Sequence, residues 1–246
     1  MVGSEPYAVV SCHVERPLDD AVWNAFSELQ AARPGGFRIA ALMRPPDLAA
    51  GEDVGLWRER AVEAAARGPL GHHTHWGGPA QARPRNGDPA ERVRREGQWL
   101  RDVGLQPTLF CGGGWYFDAA VAAAVAEFGY SDCTGTAFRP RYLDAGAARL
   151  AVDEPCWLEV GRTRLLELPT THSLGLLVRA QLQPRGLRHA HVHVYFHDTD
   201  LLDRRRTLAL RTGLAFLGLK RTATDLRELQ RGLRPAKTMS FANSRG

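Results

Sequence analysis

Short runs of β-branched and aromatic residues alternate with longer stretches whose apolar positions recur every three or four residues. Tyr7–Val14 (YAVVSCHV) reads as a strand. Asp19 is a good N-cap for a following helix that sets Val22, Phe26 and Leu29 on one stripe, and Pro34-Gly35-Gly36 stops it. Arg38–Met43 is the next strand and Leu56–Ala66 the next helix, ended by Gly68-Pro69. Pro69–Trp76 (PLGHHTHW) is a short run that ends in histidines, and Asn86–Pro89 makes a turn. Ala90–Val103 is helical, with Gly104 as its C-terminal stop. Thr108–Cys111 is a strand that runs into Gly112–Gly114, and Asp118 caps a helix through Phe128. Tyr130–Cys133 is another short strand. Residues 134–164 lack a period and carry Pro140 and Pro155, with a hairpin expected around Gly161. Leu165–Leu168 and His191–Phe196 read as strands; Leu174–Leu182, Leu201–Leu217 and Asp225–Arg231 read as helices. The tail after Pro235 reads as frayed.

Strand and helix alternate about seven times. That order predicts an α/β fold with a mostly parallel sheet, open or closed into a barrel. No internal repeat and no domain-separating linker interrupts it. Closed α/β barrels place their chemistry where the strands end, and each polar cluster described below lies at such an end.

Composition narrows the class. The 246 residues are 44% hydrophobic and 24% charged, which excludes a disordered chain. The glycines follow no period, which excludes collagen. No apolar run reaches the length of a membrane span, so no membrane partner is expected. The N-terminus carries no cationic-then-apolar signal, so a cytoplasmic location is expected. None of the four cysteines forms a C-x-x-C pair, which argues against a zinc ribbon or redox pair. Cys12 and Cys111 sit in apolar runs and read as small core residues. The net charge of +5 comes almost wholly from arginine, with lysine only at positions 220 and 237. Arg92, Arg94, Arg95 and Arg204–Arg206 read as solvated helix faces, and no recognition module accompanies them, so no nucleic-acid partner is expected.

Side chains alternate along a strand, so Ser11, His13 and Glu15 share a face, as do His73 and His75. Two such pairs at neighbouring strand ends supply four donors for one metal ion, and a catalytic zinc takes three and leaves a position open. Zinc, iron, cobalt and manganese all suit such a donor set. In RHAHVHVYFHDTD the residues His189, His191, His193, Tyr195 and His197 share a face. His197 ends that strand, where a general acid belongs. Gly112-Gly113-Gly114 lets backbone approach a ligand closely, and Trp115 and Tyr116 offer rings for stacking on a sugar. The chain lacks a G-x-S-x-G elbow, a G-x-x-x-x-G-K-[ST] loop and a G-x-G-x-x-G fingerprint after a strand.

On these motifs the chain resembles the polysaccharide deacetylase superfamily (carbohydrate esterase family 4 and relatives). VVSCHVE stands where that family has its acidic first-strand motif, and GHHTHW is similar to its H-[ST]-x-x-H metal motif. GLQPTLFCGGGWYFDAAVAAAVAEFGYSDC, LLELPTT and VYFHDTDLLDRRRTLALRTGLAFL resemble its later motifs in order. The resemblance covers about residues 7–231 and implies a single domain over 1–246, a distorted (β/α)7 barrel of the polysaccharide deacetylase type. It also implies a divalent metal ion, most simply Zn2+, at the mouth. His73 and His75 would be metal ligands and His197 the acid. Glu15 would be the carboxylate ligand or the base, with His13 taking the other role. Gly113, Trp115, Tyr116 and Tyr195 would contact substrate. The chain departs from the family where His13 and Glu15 replace paired aspartates and where Cys111-Gly112-Gly113 replaces an arginine. Compressed histidine spacing leaves His72 as an alternative to His73.

The expected function is a metal-dependent hydrolase of a carbon–nitrogen bond, a deacetylase of an N-acetylated sugar or related small molecule or glycan precursor. Metal-activated water would attack the acyl carbonyl. The rival is a non-catalytic glycan- or metabolite-binding protein on the same barrel. A homo-oligomer is compatible with either.

Overall fold

The computed structural model describes residues 5–77, 81–143, 147, 149–183, 187 and 189–240. The elements in chain order are β1 (Tyr7–Val14), α1 (Asp20–Ala32), β2 (Ala40–Met43), α2 (Val54–Arg67), β3 (Leu70–Thr74), α3 (Pro89–Asp102), β4 (Leu109–Gly112), α4 (Ala119–Glu127) and β5 (Ser131–Asp132). They continue as β6 (Cys156–Val160), β7 (Thr163–Glu167), β8 (His172–Ser173), α5 (Leu174–Gln181), β9 (His191–His197), α6 (Arg204–Lys220), β10 (Thr222–Ala223), α7 (Leu226–Gly232) and β11 (Thr238–Ser240). Aspartate caps most of the helices. Asp19, Asp53, Asp88, Asp118, Asp203 and Asp225 each accept a first-turn backbone N–H, which satisfies donors that the helix itself leaves open.

The sheet runs β11-β6-β7-β5-β4-β3-β2-β1-β9-β8, with β10 added to the start of β1. Among the described residues every ladder is parallel except the β6–β7 hairpin, which turns at Gly161 with φ 59° as expected. Closure comes from the segment that leaves β7. Leu168 N donates to Asp132 O and Thr170 N to Gly135 O on the β5 side, while Thr171 N donates to His193 O on the β9 side. One extended strip thus stitches both edges together, and the fold is a distorted α/β barrel.

Alternation along β1 separates two cores. Ala8, Val10, Cys12 and Val14 face the helices, packed with Phe26, Trp57, Leu210 and Leu214. Tyr7 and Val9 face the barrel interior with Leu42, Leu109, Cys111 and Leu168. Leu226, Leu229 and Leu233, from α7 and just beyond it, join this inner cluster where β1 begins. The opposite end, where β1, β3 and β9 finish, is left to polar groups.

Three expectations are corrected. The tail after Pro235 is not frayed throughout, because Thr238–Ser240 pairs in parallel with Trp157–Glu159. The strand expected at Leu165–Leu168 begins at Thr163, since its partner is the hairpin arm β6. The helix expected at Leu201–Leu217 is a 3-10 turn at Asp198–Leu202 followed by α6, because Asp203 caps a fresh start. No helix among the described residues is long and apolar enough to cross a membrane.

Candidate metal centre

Glu15 follows the last residue of β1, and its carboxylate is the hub of the mouth. Its Oε1 lies 3.1 Å from His75 Nε2, 3.6 Å from His73 Nε2 and 3.5 Å from His197 Nε2. These imidazoles arrive from the ends of β3 and β9, which flank β1 and β2 in the sheet. His13, inside the ring, lies tilted against His73 at 4.5 Å and meets His197 edge-on at 5.4 Å, between ring centres. Its Nε2 is 3.6 Å from Cys111 Sγ. Among the described residues, three triples have donor atoms mutually close enough for one metal ion: Glu15, His73 and His75; His13, Glu15 and His197; and His13, His73 and Cys111.

The donor chemistry fits a cation. His73 Nδ1 is 2.9 Å from the Cys111 carbonyl, which can only accept, so Nδ1 carries the proton and Nε2 presents a lone pair. That Nε2 is buried without a hydrogen-bond partner. An orphaned buried acceptor is costly unless something fills it. For tetrahedral zinc, bond lengths of 2.0–2.2 Å put N and O donors about 3.4 Å apart. The 3.1 and 3.6 Å separations around Glu15 bracket that value.

Electrostatics point the same way. Burial alone would push the Glu15 carboxyl up, but the facing His73, His75 and His197 imidazoles outweigh it and hold the group well below the usual carboxylate range. Burial lowers His13 and His73 and outweighs the Glu15 carboxylate, which raises both, while neighbouring imidazoles lower them further. Both are therefore neutral at pH 7, the form that ligates metal.

His72 points the other way. Its Nε2 sits 2.9 Å from Glu96 Oε2 and 2.9 Å from Thr74 Oγ1, so α3 occupies it and His73 is the histidine that faces Glu15. His191 and His193 of the β9 row are structural. His191 Nε2 meets Pro169 O at 3.0 Å and His193 Nδ1 meets Leu168 O at 3.2 Å, so they donate to carbonyls of the closing strip. His193 Nε2 also meets Ser11 Oγ at 2.8 Å. His189 is exposed ahead of β9.

Of the residues expected at substrate, Trp115 and Tyr195 are beside the cluster, with ring centres 5.3 and 5.0 Å from His13. Trp115 holds a left-handed backbone, φ 60°, which is strained for a large side chain and is a mark of functional sites. Phe138 stacks parallel to Tyr195 at 6.0 Å, and Tyr142, exposed, reaches the Trp115 indole with its hydroxyl. Tyr116 has its hydroxyl donating to Asp118 at 2.5 Å and its ring packed on Trp76. Gly113 acts by its lack of a side chain, since a Cβ there would stand 2.5 Å from Thr74 O and 3.1 Å from His75 Cδ2. Cys111, Phe138 and Tyr142 were not expected at the site; only the neighbourhood of Gly112–Gly114 hinted at the first.

A cavity of about 540 Å³ opens beside His197 and Tyr195, lined also by Ser173, Arg205 and Arg206. That is the size range of small-molecule sites.

The whole fold is similar to that of 4-α-glucanotransferase from Thermococcus litoralis, with a TM-score of 0.62 and 12% identity over 98% of this chain. The chain spans 42% of that enzyme's length. It is also similar to a candidate polysaccharide deacetylase of Bordetella bronchiseptica involved in O-antigen biosynthesis, with a TM-score of 0.50 and 13% identity over 92% of this chain and 89% of that one. At these identities the likeness is one of fold, and the resemblance read from the motifs meets a solved structure of that description at this level. No family profile matches the chain, and no curated protein matches it.

Proposed function

We propose that the chain is a divalent-metal-dependent hydrolase that removes an acyl group from an amide, most specifically a deacetylase of an N-acetylated sugar, glycan precursor or related small molecule. The observation that carries this reading is the convergence of His73, His75 and His197 on Glu15 Oε1 within 3.1–3.6 Å. Glu15, His73 and His75 would hold the cation. When bound, it supplies Lewis-acid polarisation of the acyl oxygen and lowers the pKa of a water.

The remaining roles belong to the chain's own groups. His197 is the most exposed imidazole of the cluster, at 35%, and lines the cavity. It would take the proton from the attacking water and deliver it to the departing nitrogen. Asp200 Oδ2 accepts the His197 backbone N–H at 3.0 Å and stands 3.9 Å from Nδ1, which leaves a carboxylate beside the ring. His13 lies deeper, with Nε2 turned to Cys111, so it would serve as a neutral wall and not as the base. Trp115, Phe138 and Tyr195 form an aromatic wall suited to the face of a sugar ring.

The test couples metal analysis with an acetate-release screen on acetylated amino sugars and acetylated small molecules. Stoichiometric metal that is lost in His73→Ala, with acetate release abolished by a chelator and by His75→Ala, is the expected result. Metal binding without turnover of any acylated compound favours the binding-protein reading, for which His13 and Glu15 in place of paired aspartates is the motivating observation.

A further inference from the structure

Cys111 and His13 carry no proton and hold no cation in the hydrolytic proposal, yet the Cys111 thiol and the His13 imidazole meet beside His73. Cys111 is the penultimate residue of β4, next to β3, and the register pairs it with His73. Its carbonyl holds His73 Nδ1, while its Sγ lies 3.6 Å from His13 Nε2. Cys111 is fully buried, and His13 and His73 nearly so. We propose that Cys111, His13 and His73 form a second, deeper seat for a thiophilic divalent cation, below the one outlined by Glu15, His73 and His75.

Three observations support it. The donor atoms of this triple all lie within 4.8 Å of one another. A tetrahedral zinc with bonds of 2.3 Å to sulfur and about 2.05 Å to nitrogen sets those two donors about 3.6 Å apart, and the Cys111–His13 separation is 3.6 Å. His73 Nε2 supplies the buried, unpartnered atom that a bound ion would satisfy. The inner triple also differs in kind from the outer one. A thiolate and two imidazoles suit zinc, cobalt or cadmium, whereas a carboxylate suits manganese or magnesium as well. Binding replaces the S–H bond by a sulfur–metal bond and releases the thiol proton to solvent. One imidazole nitrogen serves one cation, so the two seats, which share His73, are filled in alternation. Softness of the ion decides which. The proposal rests on the reading that this cluster binds a divalent cation.

Cobalt(II) titration of the full chain separates the outcomes. A thiolate ligand gives a sulfur-to-cobalt charge-transfer band in the near ultraviolet, which nitrogen and oxygen donors do not. The expected result is that band at one equivalent, its loss in Cys111→Ser, and its persistence in Cys133→Ser and His75→Ala. A Cys111→Ala variant that melts like the wild type and also lacks the band guards against misfolding of the serine variant. Stoichiometric cobalt without the band, with binding lost in His75→Ala, overturns the deeper seat and leaves the Glu15 centre standing. A band that survives in Cys111→Ser overturns it too. Absence of any cobalt binding overturns both.

Discussion

Arg44 Nε donates to the main-chain carbonyl of Glu15 at 3.0 Å. The rest of that buried guanidinium is spent on Pro45 O and on a two-pronged pair with Glu52, at 2.9 and 2.8 Å. On the other side, Asp198 Oδ2 accepts the backbone N–H of Arg16 at 2.8 Å. The ends of β2 and β9 therefore clamp the peptide that carries the hub carboxylate. Arg44→Lys keeps the charge but loses the planar fork. We expect a divalent-ion affinity about 10–100-fold weaker by calorimetry, the scale of lost supporting contacts at metal sites, with the circular dichroism spectrum retained.

Metal occupancy should appear as stability. An ion at 100 times its dissociation constant stabilises the native state by about 2.7 kcal/mol. For a chain of this size that is a melting-point rise of about 5–10 °C. Differential scanning calorimetry with and without zinc checks it; equal melting points, with Glu15→Gln also unmoved, would refute the metal centre.

Acid should weaken the barrel through its structural histidines. Burial lowers His191 to about 3 and His193 to about 4. An unfolded histidine titrates near 6.5. The unfolded chain thus binds more protons at these two histidines between those values, so their contribution to stability is level above pH 6.5 and falls as the pH drops toward 4. Asp198, raised by burial to about 6, works in the opposite sense, so a difference measurement is needed. Between pH 7 and 5 the wild type should lose on the order of 2 kcal/mol more than His193→Gln in urea unfolding.

Asp132 and Glu167 face each other across the β5–β7 register, and Asp132 Oδ2 and Glu167 Oε2 are buried without partners. Burial, and for Glu167 the adjacent Asp132 charge, raise both carboxyls. A raised folded pKa means stability present at low pH and lost as the pH climbs. Glu167→Gln removes that repulsion. Its unfolding free energy should decline less from pH 5 to 9 than that of the wild type, as urea titrations at the two ends will read.

Gly113 has no room for a methyl group, with Thr74 O at 2.5 Å and Ala82 O at 2.7 Å from the position it would take. Gly113→Ala should cost about 1–3 kcal/mol and weaken cation binding by pushing on His75. Gly175→Ala, where nothing lies within 4 Å, is the control and should do neither.

Much of this protein was legible from its chain alone. Alternation paired His13 with Glu15 and His73 with His75, because a strand has a two-residue period whatever surrounds it. Asp19 and Asp118 announced their helices for an equally local reason, the need of first-turn N–H groups for an acceptor. Non-local matters were decided only in three dimensions. His72 and His73 are the same residue type on one strand, and Glu96 from α3 draws the first away from the mouth. Cys111 reads as a core filler until β3 and β1 bring His73 and His13 against it. Closure of the barrel depends on a strip after β7 whose carbonyls meet imidazoles from β9, some 25 residues on. Such partners are chosen by packing between distant segments, and no local period records them.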